Sequence, residues 1–558
     1  MFQKALREYE AVSSAEDVAS CSGIDLRRLG WIRPLAAEYA RNFSGLAPLY
    51  AGDPASRDAW AAAIAHAQRH PRNREGIAAV LRAQQERRGA PAEARAAADL
   101  LTRPETIAIV TGQQAGAFGG PLFTLLKAIT ALQLARRTAA EHRVPAVAVF
   151  WVDAEDHDWE EVRSGTVLDG NLHPRTITLE PPEGAGSRPI AALELDGRIE
   201  TAVDGLRAAL AQTDFTDWVI DAVRAAWRPG IGMADAFARW LESLLGSAGL
   251  VVFESADRAA KPSVADLFAR ELQFPGRTSA LAAAAGQELA ARSHQPQVQP
   301  QPDSVALFKL DGVRTPIRRS GEALVVGEQT FAPSVLAAKA VDHPEGFSPN
   351  VLLRPLVQDT LFPTVCYVAG PSELAYLGQL RGVYEHFGVP MPLMYPRATA
   401  TLIDSATRRF LARYNVRMED LQPQDESALN RLLESQLPAT VEEALADAGT
   451  AMRRALERIV EVIPAVDPTL AGAARTTLGK MEHDLRGLHN KVIQAAKKRD
   501  ETLRRQFSRA QAQIFPLGHP QERTLAVVFF LNRYGPALVE RLLEELPVEM
   551  GQHWVMTL

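Results

Sequence analysis

The chain has 558 residues, 47% apolar and 23% charged, ordinary globular proportions that exclude global disorder and, at roughly 100–200 residues per domain, predict about three to five structural units. Sixty-one basic against 67 acidic residues leave a formal charge of −6, which argues against a dedicated nucleic-acid binder, and Cys21 and Cys366 alone make neither a disulfide framework nor a four-thiolate zinc site. No window holds the roughly 18 apolar residues of a spanning helix, and Met1–Glu10 lacks the apolar region of an export signal, so a soluble protein of the reducing cytoplasm is expected.

The first hundred residues read as helical, with Ala- and Arg-rich stretches such as Asp58–Arg69 and Gly76–Arg88 between Pro, Gly and Asp-Pro breaks. At Thr106 the pattern changes. Ile107–Val110 is a short apolar run entering a glycine-rich turn, Pro121 opens a helix over Leu122–Arg137, and a second apolar strand follows at Ala146–Val152. Strand, helix and strand with short joints form a βαβ unit, so these strands should be parallel. Leu250–Glu254, Thr364–Ala369 and Met391–Tyr395 fit the same sheet, giving a doubly wound α/β core.

Two stretches interrupt that rhythm. Between Ser164 and Asp196, the Asp169-Gly170 pair and an alternating Thr-Ile-Thr-Leu predict β-hairpins. Between Ser304 and Pro333, alternation around Asp311-Gly312 and Gly321 predicts a second antiparallel insert, reached through an exposed Gln- and Pro-rich connection, His294–Asp303. No strand is expected after Arg397. From Val441 apolar residues recur at 3–4 spacing through Val462, turn at Pro464–Pro468, and resume from Ala474 to Ile514. The second series predicts a helix of roughly 45 residues, about 65 Å long, in an antiparallel coiled-coil-like hairpin with Arg499 at a seam position. Its uncovered far end, carrying Phe507 and Ile514, should meet the core or another subunit. A homodimer is expected.

The resulting organisation is a helical segment at 1–105, core at 106–163, a β-rich insert at 164–215, and core again at 216–300. A second β-rich insert spans 301–345 and the last core segment 346–400, followed by a coiled-coil domain at 401–515 and a helical segment at 516–558.

The strongest chemical feature runs from Thr111 to Pro121, with four glycines (Gly112, Gly116, Gly119 and Gly120) in nine positions between a strand and a helix. Glycine permits close backbone approach, and a helix N-terminus offers free N–H groups to an anion. Thr111, Gln113 and Gln114 add polar side chains where α/β sheets bind ligands. A tight structural turn and a phosphate or carboxylate site are both compatible with this run. Lys127, two turns on, either reaches a phosphate or faces solvent.

After the second strand comes Asp153-Ala-Glu155-Asp156-His157-Asp158, then Trp159-Glu160-Glu161. Such a run could hold an amine, carry Mg²⁺ or use His157 as an acid, a base or a phosphate donor. Glu160 and Glu161 read as the acidic first turn of a helix, leaving Asp153, Glu155 and His157 as the catalytic candidates. A third junction carries Gly370, Ser372 and Glu373, with Tyr376 and Gln379 beyond; Ser372 could serve only as a helix cap. Upstream, Arg354, Gln358 and Asp359 form a polar group, in which Arg354 could clamp a carboxylate. Cys366 sits inside an apolar strand and reads as buried and inert. Lys491, Lys497, Lys498, Arg499, Arg504 and Arg505, interleaved with Asp500 and Glu501, read as a solvated helix face.

Of the runs Val110–Thr124, Val149–Asp158 and Ser348–Asp359, the first two are specific. With Tyr367–Glu373, Gln521-Glu-Arg and Asn532-Arg-Tyr-Gly-Pro, they make nearly the whole chain resemble the BshC family of bacillithiol-biosynthesis cysteine ligases. The resemblance implies a Rossmann-like core with connecting-peptide inserts and a coiled-coil domain that helps form a homodimer. It also implies addition of cysteine to glucosaminyl-malate, with ATP and Mg²⁺ as the activating pair. The family is similar to class I aminoacyl-tRNA synthetases, whose His-Ile-Gly-His element here gives way to Thr111–Pro121 without either histidine. The zinc ligands of related enzymes are also absent from the sequence. A non-catalytic nucleotide-binding scaffold of the same pathway is the alternative implied.

Overall fold

A computed structural model describes residues 21–467, 469–499 and 501–558, with the side chains of 496–499 also outside the description. The export reading of Met1–Glu10 and the readings of Lys497, Lys498, Arg499 and Asp500 therefore lie outside the described residues. Two compact units result: one that ends at Leu402 and resumes at Gln521, and one formed by Ile403–Pro520.

The first unit begins with a strand that local patterning misses, β1 (Cys21–Asp25), before helices Pro34–Arg41, Arg57–Arg69, Arg74–Arg88 and Ala92–Leu100. Strand β2 (Ile107–Gln114) follows, then helix Leu122–His142 and β3 (Ala146–Asp153). A single hairpin, β4 (Ser164–Leu168) with β5 (Pro174–Thr178), fills the first insert and gives way to helices, before β6 (Val251–Glu254) rejoins the core. The second insert is antiparallel, from β7 (Ser304–Asp311) through β8 (Val313–Ser320) and β9 (Ala323–Val326) to β10 (Gln329–Phe331). The short β11 (Phe347–Pro349) adds to β7. Then come β12 (Thr364–Ala369) and β13 (Leu393–Pro396).

The five apolar runs read from the sequence form one parallel sheet in the order β13-β12-β2-β3-β6. It is a Rossmann-like core. Strand order reverses between β2 and β12, and crevices at such a switch point, outside the strands' carboxyl ends, are where these sheets bind ligands. Ile107, Ala108, Ile109 and Val110 are wholly buried, as expected for a strand covered on both faces.

Strands do not stop at Arg397. β14 (Thr399–Ile403) and β15 (Gln552–Thr557) join β1 in the order β1-β15-β14, with Cys21 opposite Met556. The segment after 516 is therefore helical only up to β15. At the point where the chain leaves this unit, the Gln521 side chain accepts from the Leu402 N–H and donates to the Leu402 carbonyl, both at 2.8 Å. Cys366 is buried in β12, where burial pushes its thiol well up. Among the described residues no helix is long and apolar enough to cross a membrane.

Glu271 ties helix Ala265–Gln273 to the second insert, accepting from the Thr278 hydroxyl at 2.5 Å and the Ala306 N–H at 2.7 Å. Burial raises its carboxyl from 4.5 to about 7. The folded state thus keeps this proton where the unfolded chain has lost it. The stability it contributes is complete below about pH 4.5 and disappears as pH rises through 7, about 3 kcal/mol in all. Glu271→Gln should flatten this part of the decline in urea-unfolding free energy between pH 5 and 8. An identical slope in the variant would refute the assignment.

In the second unit, helices Ala439–Val462 and Leu470–Arg499 form the expected hairpin. Arg453 pairs with Glu482 at 3.5 Å and His489 with Glu442 at 3.2 Å across it. Gly449 is buried where the Leu485 side chain packs. The following helix, Glu501–Ile514, is covered from within its own unit: Phe507 meets Phe410, Gln513 accepts from Thr407 at 2.7 Å, and Gln511 donates to Leu421 and Pro423 carbonyls. The expectation that this stretch needs the core or a second subunit is corrected by helix Ser405–Arg413.

Candidate functional site

β2 ends beside β3 with Gln114 level with Asp153. This register brings the glycine-rich run and the acidic run to the same edge of the sheet. Asp153 is only 6% exposed and pairs with Arg354 from helix Arg354–Leu361. Asp156 receives Arg314 from β8 at 3.3 Å and lies 4.0 Å from Arg354. Glu155, also buried, is held by Lys261 and by the Ser348 hydroxyl at 3.0 Å. Three carboxylates from one stretch therefore interlock with three cations drawn from three others.

The two aspartates are driven in opposite directions. Burial pushes the Asp153 carboxyl up against the pull of Arg354, and Asp156 and Glu155 add to the rise. Asp156, less buried, is held low by Arg354, the His157 backbone N–H and Arg314. Among the described residues Asp153 Oδ1 is buried and has no hydrogen-bond partner, so the site contains an acceptor the protein does not itself satisfy. Among the described residues, no group of three or more His, Cys, Asp or Glu side chains is placed to hold a metal ion.

His157 stands at the rim, nearly half-exposed, with Nδ1 3.2 Å from Asp156 Oδ1. Asp158 caps the short helix Trp159–Val162 through the Glu161 N–H at 3.2 Å. Glu161 stands with Glu160 in the first turn, as expected, and also accepts from Gln114 at 2.9 Å; partial burial together with Asp158, Asp156 and Asp153 raises its carboxyl.

Across the switch point Lys127 is 2% exposed, so it does not face solvent. Its ammonium meets the Gly112 carbonyl at 2.8 Å, Gln113 Oε1 at 3.1 Å and Glu373 at 2.6 Å. Those three contacts use its three donors and join β2 to the β12 junction. Burial lowers its pKa, Glu373 opposing. Glu373 also accepts from the Gly370 N–H at 2.5 Å and the Tyr367 hydroxyl at 3.1 Å. Ser372 heads helix Glu373–Leu377 without making the capping bond expected of it.

The glycines of the turn face protein. Leu122 N–H donates to the Leu525 carbonyl and Val527 N–H to the Gly120 carbonyl, which occupies the helix start expected to receive an anion. Gly119 sits at φ +88, and an added Cβ would lie 2.4 Å from Trp240 Nε1; one on Gly112 would lie 2.8 Å from the Trp151 carbonyl, and one on Gly116 2.9 Å from Gly120. Thr111 donates to the Val368 carbonyl at 3.0 Å, a buried tie between strands. Gly119→Ala should cost about 2–4 kcal/mol, from strain at positive φ and the clash with an indole. A melting temperature within 1 °C of the parent, about 0.5 kcal/mol or less, would contradict this packing role.

Gln358 and Asp359 are not part of this group. Asp359 accepts from the Tyr384 hydroxyl at 2.5 Å and from Gln358 at 3.0 Å, while its carbonyl takes Arg72. Burial raises its carboxyl to about 6. Sequence reading missed Lys261, Arg314 and Arg523. Lys261 breaks an Ala-Ala-Lys-Pro run just after β6, a detectable signal, whereas Arg314 looks like any outward residue of a hairpin. Arg523 is exposed, lies over the Phe123 ring at 5.8 Å and forms no ion pair among the described residues, yet acts electrostatically on Lys127.

Comparison with known proteins adds a second line of evidence. Residues 20–398 match the family described as Bacillithiol biosynthesis BshC, N-terminal Rossmann-like domain, and residues 400–558 match Bacillithiol biosynthesis BshC, C-terminal coiled-coil domain. A protein of Salinibacter ruber named "Putative cysteine ligase BshC" is 36% identical over 95% of this chain and 97% of its own length. Proteins of the same name from Symbiobacterium thermophilum and Koribacter versatilis are 33% and 32% identical, over 92% and 86% of this chain and 96% and 88% of theirs.

Proposed function

The chain belongs to the BshC family of bacillithiol biosynthesis, and from that premise we propose that it is a carbon–nitrogen ligase joining the carboxylate of cysteine to the amine of glucosaminyl-malate. The observation that carries the chemistry is Asp153, a buried carboxylate with one unsatisfied oxygen and a raised pKa beside the switch point. An amine must lose a proton to become an acyl acceptor, and a carboxyl of raised pKa is the better base. The substrate ammonium settles on Asp153 Oδ1. It gives one proton to Asp153, the resulting amine attacks the activated carbonyl carbon, the carbon–oxygen bond to the leaving group breaks, and the second proton shed by the nitrogen goes to the departing oxyanion. Arg354 holds the carboxylate in place. Glu155, tied to Lys261 and Ser348, fixes the wall, and His157 at the rim carries the proton outward.

A free carboxylate is a poor acyl donor, so ATP with Mg²⁺ is the proposed source of the activating group. The residues that fit its phosphates are the half-exposed Gln113, Gln114 and Gly116 with the exposed Arg523, rather than the helix start that Leu525 occupies. Asp153, Glu155 and Asp156 already hold cations, so Mg²⁺ would enter with the phosphates, as it commonly does. Lys127, Glu373 and Gly370 set the floor of the switch point, and the unbonded Ser372 hydroxyl remains available to substrate.

Incubating purified protein with cysteine, ATP and glucosaminyl-malate tests the reading, with formation of the cysteinyl amide and ATP consumption as the expected result. Absence of product from folded protein would reject it, and nucleotide binding without product would favour the scaffold role. In the same reading the protein works in the cytoplasm as a homodimer through its coiled-coil unit. Exposed Ile459, Val462, Val466, Leu470, Met481 and Leu488 support this, as apolar side chains facing water. Light scattering at micromolar concentration should give twice the chain mass; a monomer mass would reject the dimer.

A further inference from the structure

The Gln- and Pro-rich connection does more than link two elements. Pro300 and Pro302 form one wall of a cavity of about 570 Å³, with Phe274, the first turn of helix Arg277–Ala291, Arg319 and Gly321 around it. Its volume is in the range of small-ligand sites. None of its lining residues belongs to the amide-forming site.

No carboxylate lines this cavity. Arg277 and Arg319 are both exposed, and neither side chain forms an ion pair or hydrogen bond among the described residues. Of the carboxylates nearby, Asp303 pairs with Arg318 at 3.3 Å and Glu271 is held by Thr278 and Ala306, while Glu322, next to Gly321, is exposed and outside the lining. Gly276, at φ +82, lets the chain turn into the helix so closely that an added Cβ would lie 3.7 Å from the Arg319 guanidinium. Phe274 is 51% exposed and packs edge-on against His386, with ring centroids 5.6 Å apart. Burial, and then Arg270 and Arg277, push the His386 imidazole below its usual range, as an uncompensated positive neighbourhood does. Guanidinium groups that share a cavity without an acid suit an oxyanion able to accept from both, and tetrahedral phosphate presents three such oxygens.

We propose that this cavity binds the phosphoryl group of a small phosphate, held by Arg277 and Arg319 with Phe274 alongside. Two sources share that chemistry: free phosphate, and an organic phosphate whose flat body lies on the Phe274 ring. Calorimetric titration of the full chain with phenyl phosphate and with inorganic phosphate separates them. Tighter binding of phenyl phosphate, reduced by Phe274→Ala to the level of inorganic phosphate, assigns the organic source. Equal affinities assign the free ion. In either case Arg277→Gln and Arg319→Gln should each weaken binding about tenfold or more, without moving the melting temperature, because both side chains are exposed. No binding of either probe at millimolar concentration overturns the proposal, and so does binding that survives both substitutions.

Discussion

Asp153→Asn is expected to lower the rate of amide formation at least about 100-fold in protein that remains folded. The substitution keeps the side chain's shape and one oxygen that can still meet Arg354, but it removes the capacity to take a proton. General-base catalysis typically contributes 10² to 10⁴ in rate, and the ammonium loses its counter-charge as well. Arg354 keeps Asp156 at 4.0 Å, so a buried cation is not left wholly uncompensated. The stability loss should stay within about 1–3 kcal/mol, a range set by one weakened hydrogen bond to a charged group. Steady-state kinetics with urea unfolding of the same preparation separates the two effects. If kcat/KM changes less than threefold, Asp153 is not the base. His157→Ala, at the open rim where water can replace it, should cost about tenfold or less.

Glu522→Gln should produce the largest loss of stability, about 3–5 kcal/mol, as expected when one partner of a buried ion pair is neutralised. Arg397 and Glu522 are 1% and 3% exposed at the side chain and meet through two hydrogen bonds, at 2.9 and 2.7 Å. Glu522 also accepts from the Ala400 N–H at 3.0 Å. The amide leaves the guanidinium charged in a dry interior. Replacing both residues by apolar ones, Arg397→Met with Glu522→Leu, should recover part of the loss, since neither charge then remains buried. Urea-unfolding curves for the two variants provide the check. A single variant within 1 kcal/mol of the parent would show that water reaches the pair.

The five strands of the parallel sheet were legible because each is a compact apolar run bounded by turn residues, and the helix after Pro121 supplies the crossover between the first two. β1, β14 and β15 were not. Thr-Ala-Thr-Leu-Ile at β14 reads weakly, and its sheet pairs Cys21 with Met556, a distance no local pattern spans. The candidate site divides along the same line. Asp153 and Gln113 at strand ends, and Lys127 and Glu373 in the helices that follow, could be marked as polar residues, but their partners could not. Arg354 is 201 positions from Asp153, and Arg314 is 158 from Asp156. The glycines left two readings open because a glycine needed for an anion and one needed beside Trp240 look alike until the tryptophan is in place.

The hydrogen bonds between Gln521 and Leu402 make the second unit an insertion with touching entry and exit points. A chain interrupted there need not span a gap, so residues 403–520 are a candidate for excision and replacement by a few Gly and Ser residues, the α/β unit closing over the join. The same arrangement orders events on the ribosome. The sheet containing β1 cannot be completed until Gln552–Thr557 has emerged, whereas the helices of the insertion can find one another earlier, through contacts close in sequence. Until then β1 has no neighbour, so the nascent chain carries an open strand edge through most of its synthesis.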